Sequence, residues 1–145
     1  MSLCTTSVSS ADEDSRVLEV GTGLGYLTAV LASLAAEVYS VEVVEEFAGA
    51  AEARLRELGH GNVAVRVGDG SRGWDEAGPF DAIIVSAAAA EVPQALALQL
   101  NEGGRLVLPL EMAGSQRLVR ATREDGQLLV QEILPVAFTK LETVF

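Results

Sequence analysis

The segment Val17-Leu18-Glu19-Val20-Gly21-Thr22-Gly23-Leu24-Gly25-Tyr26 constrains this chain more than any other. An apolar run ends at Glu19 and Val20, and glycines then alternate with other residues at Gly21, Gly23 and Gly25. Tyr26-Leu27-Thr28 opens a helical pattern immediately afterwards. That order predicts a buried strand, a tight turn without Cβ atoms and a helix N-terminus, a unit whose backbone N–H groups are expected to meet a ligand directly. The spacing discriminates between ligands. A dinucleotide fingerprint is G-x-G-x-x-G; here the third glycine falls one residue earlier, and an acid sits two places before the first. A nicotinamide dinucleotide is the least expected occupant.

The remaining pattern predicts the framework that carries this turn. Strands are expected at 17–20, 38–44, 63–67, 81–85 and 105–110. Helices are expected at 27–36, at 45–58 with Gly59 as its stop, and at 93–100, with Gly103-Gly104 closing the last of them. Strands alternating with helices imply a parallel sheet with right-handed crossovers. The end breaks that rhythm, because 116–123 and 127–136 are strand-like and joined by Asp125-Gly126, a tight-hairpin signal. Residues 111–115 are too few for a crossover helix, so the last three strands should form a meander with the sixth antiparallel between its neighbours. Residues 1–15, polar and then acidic, read as a loose lead-in to a single domain over 16–145.

Charge and composition narrow the function. Ten Lys+Arg face 21 Asp+Glu, a formal net charge of −11 that repels phosphate backbones and argues against a nucleic-acid partner. No apolar stretch approaches the length of a membrane span. The single Cys4 makes no internal disulfide and, with no signal-peptide pattern at the N-terminus, suits the cytoplasm. One histidine, His60, and one cysteine argue against a zinc site or a Cys–His dyad, so no metal is expected. Nothing in the sequence specifies an oligomeric state.

In an open parallel sheet, ligands sit beyond the carboxyl ends of the strands where the strand order reverses. The candidate residues fall there. The glycine turn follows the first strand, and Glu42 with Val43 lies in the second, 21 positions past Gly21, where an acid that takes both hydroxyls of a ribose is expected. Gly68-Asp69-Gly70 ends the third strand and offers an acceptor for an adenine amino group. Ser86-Ala87-Ala88 follows the fourth strand and leaves room for ligand or substrate. Ser86 reads as a packing residue, since no G-x-S-x-G elbow surrounds it. His60 reads as a solvated loop residue and Trp74 as a partly buried one.

Acid-x-G-x-G-x-G at Glu19–Gly25 resembles the cofactor loop of S-adenosylmethionine-dependent methyltransferases. The likeness becomes narrower along the chain. Residues 17–29, Ser40-Val41-Glu42, Gly68-Asp69-Gly70 with Gly73-Trp74, and Pro79-Phe80-Asp81-Ala82-Ile83-Ile84-Val85-Ser86-Ala87-Ala88 resemble protein-L-isoaspartate O-methyltransferases. Val92-Pro93-Gln94-Ala95-Leu96 and Gly103-Gly104-Arg105-Leu106-Val107-Leu108-Pro109 continue in the same register.

The resemblance implies an α/β, Rossmann-like methyltransferase fold, with a mostly parallel seven-stranded sheet, helices on both faces and a C-terminal antiparallel hairpin. It implies methyl transfer from S-adenosylmethionine, leaving S-adenosylhomocysteine, to the α-carboxylate of isoaspartyl residues in damaged protein. The cofactor-binding set it implies is Glu19, Val20, Gly21, Thr22, Gly23, Gly25, Tyr26, Glu42, Val43, Gly68, Asp69, Gly70 and Ser86.

Three features depart from the family pattern. The family's N-terminal Thr-Ile-Ser motif has no counterpart here, since Thr5-Thr6-Ser7 and Ser9-Ser10 lack its context, and no catalytic residue is assigned. Ala89-Ala90 replaces a proline after the fourth strand, and Phe138-Thr139-Lys140-Leu141-Glu142 follows aromatic-x-Pro-Leu-Thr only loosely. A small-molecule methyltransferase of the same fold, and a non-catalytic cofactor-binding module lacking its substrate cover, are the alternative readings.

Overall fold

The computed structural model describes residues 14–141. Most of the lead-in, with Cys4 and the hydroxyl residues near it, and Glu142 at the other end lie outside the described residues. Seven strands form one sheet in the order β3-β2-β1-β4-β5-β6-β7. They are β1 (Arg16–Val20), β2 (Glu37–Glu42), β3 (Val63–Val67), β4 (Phe80–Val85), β5 (Leu100–Met112), β6 (Ser115–Glu124) and β7 (Gln127–Val136). The first five run parallel, and β6 is antiparallel to both β5 and β7, the expected meander. The order reverses between β1 and β4, which leaves a crevice outside their carboxyl ends.

Period-two alternation in β1 sends Val17 and Glu19 to one face and Leu18 and Val20 to the other. Helix α1 (Tyr26–Leu34) covers the first face, where Leu31 and Ala32 pack with Val17, Val38, Ala82 and Ile84. Helix α2 (Glu45–Glu57) buries Ala48, Ala51 and Leu55. On the opposite face Leu96 of α3 (Gln94–Leu98) joins Leu18, Val20, Phe80 and Ile83. Among the described residues no helix is long and apolar enough to cross a membrane.

Some boundaries differ from the sequence expectation, each for a reason of tertiary pairing. The second strand stops at Glu42 rather than at 44, because Val44 becomes the N-cap of α2 and its N–H is taken by the Glu42 carboxylate at 3.0 Å. Helix α1 ends at Leu34 because Ala36 and Glu37 turn their N–H groups to the Ser15 carbonyl. Gly103-Gly104 does not stop a helix. Helix α3 closes at Leu98, the Phe80 N–H draws in the Gln99 carbonyl at 2.7 Å, and the chain enters β5 at once. The glycines lie inside β5, where the pairing register with β4 shifts between Phe80 and Ala82. Gly103 has φ +80°, and a Cβ on Gly104 would fall 2.8 Å from the Asn101 carbonyl oxygen. The pair forms a bulge that only glycine fills.

Candidate functional site

The glycine turn is built by three positive φ angles, at Gly21 (98°), Gly23 (54°) and Gly25 (87°). L side chains rarely adopt such angles, so the alternation of glycines is a backbone requirement. Gly25 also lets the start of α1 approach α2, since a Cβ there would meet Ala51 Cβ at 3.3 Å. Arg54 of α2 donates to the Leu24 carbonyl and lies over the Tyr26 ring at 5.4 Å, pinning the outer side of the turn.

Three N–H groups of this turn are paired within the protein. Gly21 donates to the Val41 carbonyl at 2.8 Å, Gly25 to the Thr22 carbonyl at 2.9 Å, and Gly23 to Glu42 Oε1 at 2.7 Å. The expectation that backbone N–H groups of this unit would meet a ligand directly does not hold for these three. All three are spent inside the protein, and the one facing β2 already holds a carboxylate. A pyrophosphate approaching Gly23 would meet the Glu42 carboxylate, an unfavourable charge for a phosphate cradle.

Beneath the turn lies a buried polar cluster. Glu19 is fully buried, and its Oε1 accepts from Thr28 Oγ1 and from Ser40 Oγ at 2.7 Å. The Ser40 hydroxyl in turn shares a hydrogen bond of 2.5 Å with Thr22 Oγ1. One acid thus links α1, β2 and the turn. Among the described residues Glu19 Oε2 has no hydrogen-bond partner. Burial pushes the carboxyl up to about 7, against the lowering effect of the two hydroxyls and with a further rise from the charge of Glu42.

A cleft of about 270 Å³ opens above, lined by Val20, Gly21, Gly23, Val41, Glu42, Val43, Val44, Phe47, Gly70, Ser86, Ala87, Thr139, Lys140 and Leu141. Of the residues expected from sequence it gathers Val20, Gly21, Gly23, Glu42, Val43, Gly70 and Ser86. The others are not among its lining residues. Glu19 and Thr22 belong to the buried cluster, Gly25 caps α1, and Tyr26 is exposed under Arg54. Gly68 donates its N–H to the Glu42 carbonyl at 3.0 Å. Asp69 caps the short 3-10 turn Gly70–Arg72, accepting from Ser71 N at 3.0 Å and Ser71 Oγ at 2.6 Å.

Ala87 was expected to leave room for a ligand, whereas Val41, Val44, Phe47 and the 139–141 segment were not among the expected site residues. The last reaches the cleft through a parallel bridge between Ala88 and Lys140, and only the family's closing-loop pattern pointed to it. Trp74 is half-buried against Tyr39, with ring centroids 5.2 Å apart, and His60 is half-buried beside α2 rather than fully solvated.

The wall suits an uncharged or cationic nucleoside. Each oxygen of Glu42 uses one acceptor position on a backbone N–H, which leaves a second for a ribose hydroxyl. Val43, Val44 and Phe47 form an apolar flank, and Ser86 and Ala87 set small side chains on the β4 side. Gly70 is required by the cradle, because a Cβ on it would lie 2.2 Å from Val20 Cγ1.

Known proteins resemble this chain over nearly its whole length. Residues 1–143 match the profile of the family described as protein-L-isoaspartate(D-aspartate) O-methyltransferase. A protein-L-isoaspartate O-methyltransferase of Opitutus terrae is 49% identical over 134 residues, covering 92% of this chain and 58% of the relative. A solved structure bearing the same enzyme name has 32% identity and a TM-score of 0.89, covering 95% of this chain and 45% of the other. A Plasmodium falciparum structure assigned to that enzyme, in complex with S-adenosyl-L-homocysteine, has 27% identity and a TM-score of 0.83, with coverages of 92% and 68%. The sheet and its helices are a Rossmann-like methyltransferase fold. This chain spans less than two thirds of the length of the Opitutus relative and of the first structure.

Proposed function

This chain belongs to the protein-L-isoaspartate(D-aspartate) O-methyltransferase family, and on that premise we propose that its cleft binds S-adenosylmethionine for methyl transfer to the α-carboxylate of isoaspartyl residues in peptides or proteins. The observation that carries this reading is the pairing of Glu42 with Gly23. It consumes the Gly23 donor and sets a carboxylate on the cleft wall, which supports a ribose diol as its ligand over a phosphate.

The bound cofactor would supply a methyl group on a positively charged sulfur. An acceptor carboxylate is already nucleophilic at neutral pH, so no general base is required of the protein. Its own residues bind and orient. Glu42 would accept from the ribose hydroxyls, Val43, Val44 and Phe47 would flank the base, and Gly21, Gly70, Ser86 and Ala87 would let both ligands approach in line. The 139–141 segment, fastened to Ala88 on the β4 side of the cleft, would shield it from water there. Asp69 and Gly68 are proposed to act by shaping the β3 side, and Glu19, Thr22, Gly25 and Tyr26 by holding the turn.

A net charge of −11 favours a peptide acceptor over nucleic acid, and the lone cysteine suits the cytoplasm. The unit carrying this function is proposed to be 16–145. Calorimetric titration with S-adenosylmethionine and S-adenosylhomocysteine tests the cofactor; methyl transfer to an isoaspartyl peptide, with the aspartyl peptide as control, tests the acceptor. Binding of neither nucleoside would overturn the whole reading. Binding with transfer only to small molecules would overturn the acceptor.

A further inference from the structure

Lys140 is the only lysine in the sequence, every other basic side chain apart from His60 being arginine. It lies in the segment after β7, which is fastened at both ends. The Phe138 N–H donates to Gln116 Oε1 at 2.6 Å, and Gln116 Nε2 donates to the Phe138 carbonyl at 3.0 Å. Further on, Lys140 forms a parallel bridge with Ala88. The Ala88 N–H donates to the Thr139 carbonyl at 2.7 Å, and the Leu141 N–H to the Ala88 carbonyl at 2.8 Å. Lys140 is thereby laid on the cleft wall alongside the residues that follow β4.

Among the residues lining the cleft the charged ones are Glu42 and Lys140. The strand order β2-β1-β4 puts them on opposite sides of the glycine turn, Glu42 ending β2 and Lys140 bridged to the segment after β4. A ligand anchored by a diol at Glu42 and long enough to pass the glycine turn would bring its far end to the Lys140 side of the cleft. From this we infer that Lys140 binds the carboxylate at the amino-acid end of the cofactor; the inference rests on the cofactor reading above.

An ammonium on a flexible four-carbon stem suits a carboxylate, and two are available in the proposed reaction. The acceptor's carboxylate loses its charge as the methyl group arrives. A cation on it would stabilise the ground state more than the transition state and slow the step. The cofactor's carboxylate keeps its charge throughout, so a cation there adds binding without raising the barrier. Glu42 and a net charge of −11 repel a carboxylate, so a counter-charge in the cleft favours its binding.

The test compares wild type, Lys140→Gln and Lys140→Arg by calorimetry with two ligands. One is S-adenosylhomocysteine; the other is its decarboxylated analogue, which keeps the nucleoside, sulfur and amine. Lys140→Gln should weaken S-adenosylhomocysteine about five-fold at low salt, as for an exposed ion pair, with a smaller loss at high salt. The decarboxylated analogue should bind both proteins alike, and Lys140→Arg should restore affinity. Unchanged affinity for S-adenosylhomocysteine, or equal weakening of both ligands, overturns the inference while leaving the cofactor reading standing. A raised KM for the isoaspartyl peptide with unchanged S-adenosylhomocysteine affinity assigns Lys140 to the acceptor and also overturns it. Failure of wild type to bind either nucleoside overturns the cofactor reading itself.

Discussion

Glu42 holds Gly23: its Oε1 accepts the Gly23 N–H at 2.7 Å, and its other oxygen accepts the Val44 N–H at 3.0 Å. One carboxylate at the end of β2 therefore positions the turn after β1 and the entry to α2 while facing the cleft. Glu42→Gln keeps the size but points an amide N–H at one of those two donors. S-adenosylhomocysteine binding should weaken by about 1–3 kcal/mol, the scale of a lost hydrogen bond to a charged group. Hydrogen exchange at the Gly23 or Val44 amide should quicken in the ligand-free protein. If both observables match wild type, Glu42 has neither role.

Gly70 and Val20 leave no room for a methyl group between them, since the added Cβ would sit 2.2 Å from Val20 Cγ1. Val20 is buried, so relief must come from displacing the cleft wall. Gly70→Ala should cost about 1–3 kcal/mol of stability, as overpacking does, and should weaken nucleoside binding. Gly23, where an added Cβ meets nothing within 4 Å but φ is +54°, is the comparison. Its alanine variant should show backbone strain without the steric loss. Equal urea midpoints for Gly70→Ala and wild type would refute the packing argument.

Glu19 makes stability depend on pH. Folding raises its carboxyl from 4.5 to about 7, mainly by desolvation, so between those values the folded chain binds more protons than the unfolded one. Its contribution is intact below pH 4.5 and is lost as pH rises toward 7 and beyond. Glu19→Gln carries no such penalty, and relative to wild type it should gain on the order of 2 kcal/mol between pH 5 and pH 8. Urea unfolding of both ligand-free proteins at the two pH values measures this. A difference between them that does not change with pH would show that Glu19 does not titrate in that window.

Gln99 clamps the loop that delivers Gly70. Its side-chain Nε2 donates to the Arg72 carbonyl at 2.9 Å and its Oε1 accepts the Trp74 N–H at 2.9 Å, and the residue is buried. Gln99→Ala leaves both backbone groups without that partner and should destabilise by about 2–3 kcal/mol. Trp74 is the only tryptophan, so its emission should shift to the red in the folded variant. An unshifted spectrum with wild-type stability would mean that the loop holds itself.

Local pattern made much of the fold legible. The strand at 63–67 and the hairpin strand at 127–136 stand where periodicity put them, because alternation of apolar residues and the Asp125-Gly126 turn are properties of neighbouring residues. The spacing of Gly21, Gly23 and Gly25 likewise foretold a turn of positive φ angles. Gly103-Gly104 misled because a glycine pair after a helix and a glycine pair in a bulge look alike until β4 claims the intervening backbone. The same limit applied to Glu19 and Asp69. Their acidity was legible, but not that Ser40 and Thr28 hold the first beneath the turn or that Ser71 engages the second in a cap.

By itself the sequence determined that a strand, a glycine turn and a helix would meet beside an acid, because φ preference, hydrophobic period and residue spacing are written over a few positions. Only the tertiary structure decided which groups would remain available to a ligand. The N–H groups of Gly21 and Gly23 are consumed by residues of β2, and Lys140 reaches the cleft by bridging to Ala88. A hydrogen bond between residues far apart in the chain exists only once the sheet order brings their strands together. No local pattern carries that information.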